Sequence, residues 1–163
     1  PQPWRKSPCI EDLTDSLAPS DDWRATASHR PEVAALALDG RTDTRWESGA
    51  PQQTGMWFRV DFPEPLALHG LVLDDDGGGT SPYRSDYPRR AVAQVLSLAG
   101  KWARVEFGAG SLSEYFVVAF QPVHALAARV TLTEGCAPEW WSIYRAILLG
   151  EADDTGQPFL HPI

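Results

Sequence analysis

The chain has 163 residues, of which 43% are apolar and 22% charged, and a formal net charge of −8. That length and balance suit one globular domain with a sizeable core. The negative charge excludes general binding to phosphate backbones or anionic lipid, while leaving room for a local basic patch; no apolar run approaches the ~20 residues of a membrane helix.

Residues 1–21 are proline-rich, acidic and aperiodic, and read as an N-terminal arm or linker. "PQPWRKSPC" has no apolar stretch behind its two basic residues, so no signal peptide is expected there. The chain starts without methionine, as a processed product or excised module would. Short segments with period-two or fully apolar patterns follow: "WRATAS" (23–28), "MWFRVDF" (56–62), "LALHGLVLD" (66–74), "RAVAQVLSL" (90–98), "KWARVEF" (101–107), "YFVVAFQ" (115–121), "LAARVTLT" (126–133) and "SIYRAILLG" (142–150). In "WFRVDF", Trp57, Arg59 and Asp61 share one face, and Phe58, Val60 and Phe62 the other. Turn residues separate the segments: "FPEP", "DGGGTSP", "LAGK", "GAGS", "QPV" and "EGCAP". "PEVAALAL" fits a helical turn. About eight strands without βαβ alternation predict an all-β antiparallel sandwich over residues 22–150. Residues 151–163 read as a tail or linker.

No catalytic pattern emerges. There is no G-x-S-x-G, no H-E-x-x-H and no phosphate loop. "DDD" at 74–76 reads as a solvated loop before glycines. The four histidines are scattered, and Cys9 and Cys136 lack metal spacing; a long-range disulfide and two free thiols are both open. Seven tryptophans are many for this length. Most should fill the core, and an exposed indole would offer a flat apolar face of the kind that neutral sugars stack on.

Three motifs, in order, resemble one family. "ALDGRTDTRWES" (37–48), "SDYPRRAVAQVLSLAGKWARV" (85–105) and "WWSIYRAILLG" (140–150) are similar to signatures of the discoidin, or coagulation factor 5/8 type C, domains, whose bacterial members resemble family 32 carbohydrate-binding modules. The resemblance implies an eight-stranded jelly-roll β-sandwich of the galactose-binding type. It implies a non-catalytic module that binds a glycan or polysaccharide. Such a module is attached to a larger secreted or envelope glycosidase or glycosyltransferase, at an extracellular, periplasmic or cell-envelope address. Lipid- or protein-binding adhesion domains of the same family are the alternative. Nucleic acid is not an expected partner.

The family's ligand loops map to 28–33, the turn after Trp46, 80–90 and 136–141. They carry His29, Arg30, Glu47, Arg84, Asp86, Tyr87, Arg89 and Trp140. Arg84 is expected to be the main sugar-contacting cation. Tyr87 and Arg89 serve first as packing residues of the "DYPR" turn. Adjacent strand residues point to opposite faces. If Trp141 continues the alternation of Ile143 into the core, Trp140 becomes the stacking platform. Trp46 and Trp57 are expected in the core. Many relatives hold a structural calcium through the first motif and the last strand. Asp39 and Thr44 match that pattern, but Arg41 and Arg145 stand at ligand positions, and calcium takes oxygen ligands. No cofactor is therefore expected, and Arg145 is expected to replace the ion by pairing with Asp39.

Overall fold

A computed structural model describes residues 16–74, 87–105, 111–112 and 115–150. Nine strands and one 3-10 helix form in this order: β1 (Arg24–Ala27), η1 (Pro31–Leu38), β2 (Trp46–Gln52), β3 (Trp57–Asp74), β4 (Arg90–Leu96), β5 (Trp102–Arg104), β6 (Ser111–Leu112), β7 (Tyr115–Glu134), β8 (Cys136–Ile143) and β9 (Arg145–Gly150). Every pairing among them is antiparallel. The large sheet runs β1-β3-β7-β4-β5, with β6 on β7 and β9 on β3; β2 and β8 make a separate two-stranded ribbon. Among the described residues, no helix is long and apolar enough to cross a membrane.

The all-β expectation holds, and the strand count changes for physical reasons. "MWFRVDF" and "LALHGLVLD" belong to one strand, β3, as "YFVVAFQ" and "LAARVTLT" belong to β7. The intervening prolines sit in bulges. Residues 62–65, with Pro63 and Pro65, stand opposite residue 126 alone, and Pro122 falls in the second register shift. A proline cannot donate to the ladder, so a bulge is where a long strand tolerates it. "SIYRAILLG" divides at Tyr144 between β8 and β9.

The alternation read in "WFRVDF" sets the layers. Phe58, Val60 and Phe62 are buried, while Arg59 and Asp61 face outward. Trp57 shares that outward row and is half-buried, which corrects its assignment to the core: period two places it beside Arg59. The ribbon supplies the other layer. Trp46 and Trp141 are wholly buried; their rings meet edge to face at 5.2 Å, and Trp46 lies 5.3 Å from the Phe58 ring. Such aromatic pairs add to the hydrophobic term, each contributing about 0.5–1.5 kcal/mol beyond burial. The second half of β3 lies between β7 and β9. With neighbours on both edges and both faces covered, it loses its alternation and reads as a continuous apolar run. From the arm, Ser16 bridges to Leu149 and the Leu17 amide donates to the Leu148 carbonyl at 2.8 Å. Ser16 and Leu17 thus lie beside β9.

Candidate functional site

The candidate site is built on the outer side of the β2–β8 ribbon. Trp140 and Trp141 divide as strand geometry requires: Trp141 is 0% exposed and Trp140 39%. Pro51 is the cross-strand partner of Trp140, and Glu47 that of Ser142. A bulge lies between these pairs, where Ser48 repairs the ladder. Its Oγ accepts from the Trp141 amide at 3.0 Å and donates to the Ala50 carbonyl at 2.7 Å.

Glu47 is the electrostatic centre. Arg45 donates to its Oε2 from Nη2 at 2.6 Å and from Nε at 3.1 Å. Arg30 approaches its Oε1 at 3.6 Å. Arg45 also donates to the Tyr144 hydroxyl at 3.1 Å. Burial works against the charge on Arg45, but the hydrogen bonds to Glu47 and Tyr144 outweigh it and hold the guanidinium above its ordinary pKa. Arg30 enters this group from a left-handed backbone, φ 50°, immediately before η1. Its side chain lies across Gly49, where an added Cβ would come within 2.7 Å of the Arg30 Cδ. Gly49 itself has φ +72°, and that backbone conformation is what favours glycine there. His29 contributes its carbonyl to Trp46 Nε1 at 3.0 Å, and its ring Nδ1 lies 3.0 Å from Ser28 Oγ. These bonds give His29 a structural role beside the site.

The turn at Tyr87 and Arg89 is joined to the ribbon through Gln52. Arg89 stacks over the Tyr87 ring at 4.0 Å and donates to the Tyr87 carbonyl at 2.6 Å. Gln52, 3% exposed, donates from Nε2 to the carbonyls of Tyr87 at 2.9 Å and of Trp140 at 3.0 Å. This one side chain clamps the turn to the strand carrying the exposed indole. Sequence reasoning missed Gln52, Ser48 and Arg45. The segment "WESGAPQ" shows no period, and a side chain that bridges two carbonyls leaves no mark in a pattern. Arg84 and Asp86 lie outside the described residues, as does Cys9; Cys136 is half-buried at the start of β8.

The loop matching the family's calcium motif has another organisation. The Thr44 hydroxyl donates to Asp39, and the Arg41 amide donates to Asp39 Oδ1 at 3.0 Å. Arg41 forms a two-pronged pair with Asp43 at 2.6 and 2.8 Å. That hydrogen bonding raises the Arg41 pKa and lowers that of Asp43, both of which are exposed. Arg145 lines the same cleft as Gly40, so the two segments meet. Its guanidinium, however, goes to Asp74, Nε to Oδ2 at 2.8 Å, instead of the expected Asp39. The reason is register: Asp74 and Arg145 are cross-strand partners on β3 and β9. Asp74 is thereby 0% exposed, which corrects its reading as part of a solvated loop. Two arginines and a pair of already bonded oxygens are a poor donor set for calcium.

No family model and no curated protein matches the chain. Solved structures do. Chitosan-binding module 1 of a chitosanase/glucanase from Paenibacillus sp. IK-5 is 22% identical, with a TM-score of 0.63 over 82% of this chain and 96% of that one. The family 32 module of C. perfringens NanJ, solved with galactose, is 17% identical, with a TM-score of 0.66 over 82% and 97%. The family 32 module of AlyQ, solved with 4,5-unsaturated mannuronic acid, is 19% identical, with a TM-score of 0.57 over 78% and 94%. The chain therefore has the fold of the family 32 carbohydrate-binding modules, a galactose-binding-like, discoidin-type β-sandwich.

Proposed function

We propose that this domain is a non-catalytic carbohydrate-binding module of a larger secreted or cell-envelope carbohydrate-active protein. The observation that carries the reading is the exposed Trp140 indole on the outer side of the ribbon, in a fold shared with modules that bind sugars. Stacking on an indole face removes apolar sugar surface from water, while nearby guanidinium and carboxylate groups exchange hydrogen bonds with hydroxyls. Arg30, Arg89 and Glu47 supply those groups, and Tyr87 adds a phenol hydroxyl and a second aromatic face. Glu47 is already bound by Arg45 and Arg30, so a hydroxyl meets both an acceptor and donors there. Asp39 engaged with Thr44, and Arg145 engaged with Asp74, favour a module that folds without calcium.

Glycan-array screening followed by calorimetry tests the reading. The wild type is expected to bind a defined set of glycans. Trp140→Ala should lower affinity at least about tenfold, equivalent to about 1.4 kcal/mol, with the melting transition unchanged. A domain that binds no glycan but sediments with anionic liposomes would overturn the proposal.

A further inference from the structure

The outward side of the large sheet carries a second chemical pattern. Cross-strand register places Thr26, Arg59, Arg129, Gln94 and Arg104 in one row, across β1, β3, β7, β4 and β5. The next row sets Arg24 beside Asp61 and Leu96 beside Trp102. Among the described residues, these two rows hold four arginines against one carboxylate, 4 − 1 = +3, on a chain whose net charge is −8.

The one carboxylate is already engaged. Arg59 donates to Asp61 Oδ1 from Nη2 at 2.7 Å and from Nε at 2.9 Å. Arg129 donates to the neutral Gln94 Oε1 at 2.8 Å. Arg24 and Arg104 are exposed. The guanidinium carbons of Arg59 and Arg129 lie 4.9 and 4.0 Å from the centre of the Trp102 ring. Like charges directly opposite on adjacent strands destabilise a sheet. Burial, and then the charge of Arg59, lower the pKa of Arg129. An anion brought from outside would relieve that repulsion.

The spacing limits what the anion is. Strands lie about 4.8 Å apart, so Arg129 and Arg104, two strands apart, are separated by about 10 Å. A monouronate has a single carboxylate and cannot fill both guanidinium forks, whereas an extended chain laid across the strands brings a carboxylate to each. The negative charge elsewhere on the molecule repels the dense phosphates of a nucleic-acid duplex and tolerates a polyanion with one charge per sugar; single-stranded RNA, of similar charge density, is therefore the competitor in the test. Guanidinium forks match carboxylates in bidentate geometry.

We propose that this sheet face is a second binding surface, separate from the ribbon, for an extended acidic polysaccharide whose carboxylates are held by Arg129 and Arg104. The inference rests on the glycan-binding reading above and adds a site and a ligand class to it. Affinity electrophoresis in gels containing polygalacturonate tests it, with polyuridylate RNA as the competing polyanion and a glycan array reporting on the ribbon. Polygalacturonate should retard the wild type and Trp140→Ala equally. Arg104→Ala should weaken the retardation several-fold, and Arg104→Ala/Arg129→Gln about tenfold or more, with array binding to neutral glycans retained in both. Arg104 is exposed and makes no side-chain hydrogen bond or ion pair among the described residues, so it decides the matter if the double variant melts early. No retardation of the wild type, equal retardation of Arg104→Ala, or preference for RNA would overturn the proposal. Loss of neutral-glycan binding alone would sink the ribbon reading and leave this one standing.

Discussion

Arg30 is the only non-glycine residue with positive φ among the described residues, at 50°. A side chain in that region costs about 1–2 kcal/mol relative to right-handed backbone. Its ion pairs, at 3.6 Å to Glu47 and 4.0 Å to Glu32 with the side chain 42% exposed, return little in stability. Strain held for small structural gain is what a binding residue would show. Arg30→Gly should therefore leave stability unchanged or raise it by about 1 kcal/mol, measured by denaturant unfolding. The same variant should lose glycan affinity in calorimetry; unchanged affinity would remove Arg30 from the site. The division of Trp140 from Trp141 was legible at this scale, because adjacent strand residues face opposite ways. The left-handed turn at Arg30 was not, since nothing in "SHRPE" requires it.

At the scale of elements, the β2–β8 ribbon is what sequence patterning overlooked. "WESGAPQ" contains glycine, proline and no alternation, all of which argue against a strand. It forms because side chains do work the backbone ladder leaves undone: Ser48 receives the Trp141 amide, and Gln52 satisfies two carbonyls. Removing a buried donor that serves two acceptors costs about 1–3 kcal/mol. Gln52→Ala should show that loss in chemical denaturation and should also weaken glycan binding, because the Tyr87 turn comes free of the Trp140 strand. A stable variant with full affinity would show that the turn is positioned by other contacts. The opposite error occurred in β3 and β7, where prolines suggested breaks that proved to be bulges.

For the whole molecule, the telling contact joins residues 71 apart in sequence. Asp74 is 0% exposed and Arg145 14%, with 2.8 Å between them. Breaking a buried pair by removing one partner costs about 3–5 kcal/mol, because the other charge stays buried. Arg145→Met should lower the melting temperature sharply. The double change Arg145→Met/Asp74→Leu should recover much of it; equal destabilisation in both would mean that the pair matters for packing and not for charge. Calcium and EDTA should leave the wild-type melting curve in place. A calcium-dependent rise reversed by EDTA would show that the first-motif loop holds an ion after all.

The amino-acid sequence by itself determined the all-β class, the inward and outward rows of the first long strand and the exposure of Trp140. Each of these follows from the two-residue period of a strand, which is a local property. It also carried the motifs that resemble the discoidin-type domains. Tertiary structure decided which partner Arg145 takes, that a patternless segment becomes half of the ribbon, and that arginines from three separate strands align in one row. These depend on strand register, and register is settled only when non-neighbouring strands bury their apolar faces against one another.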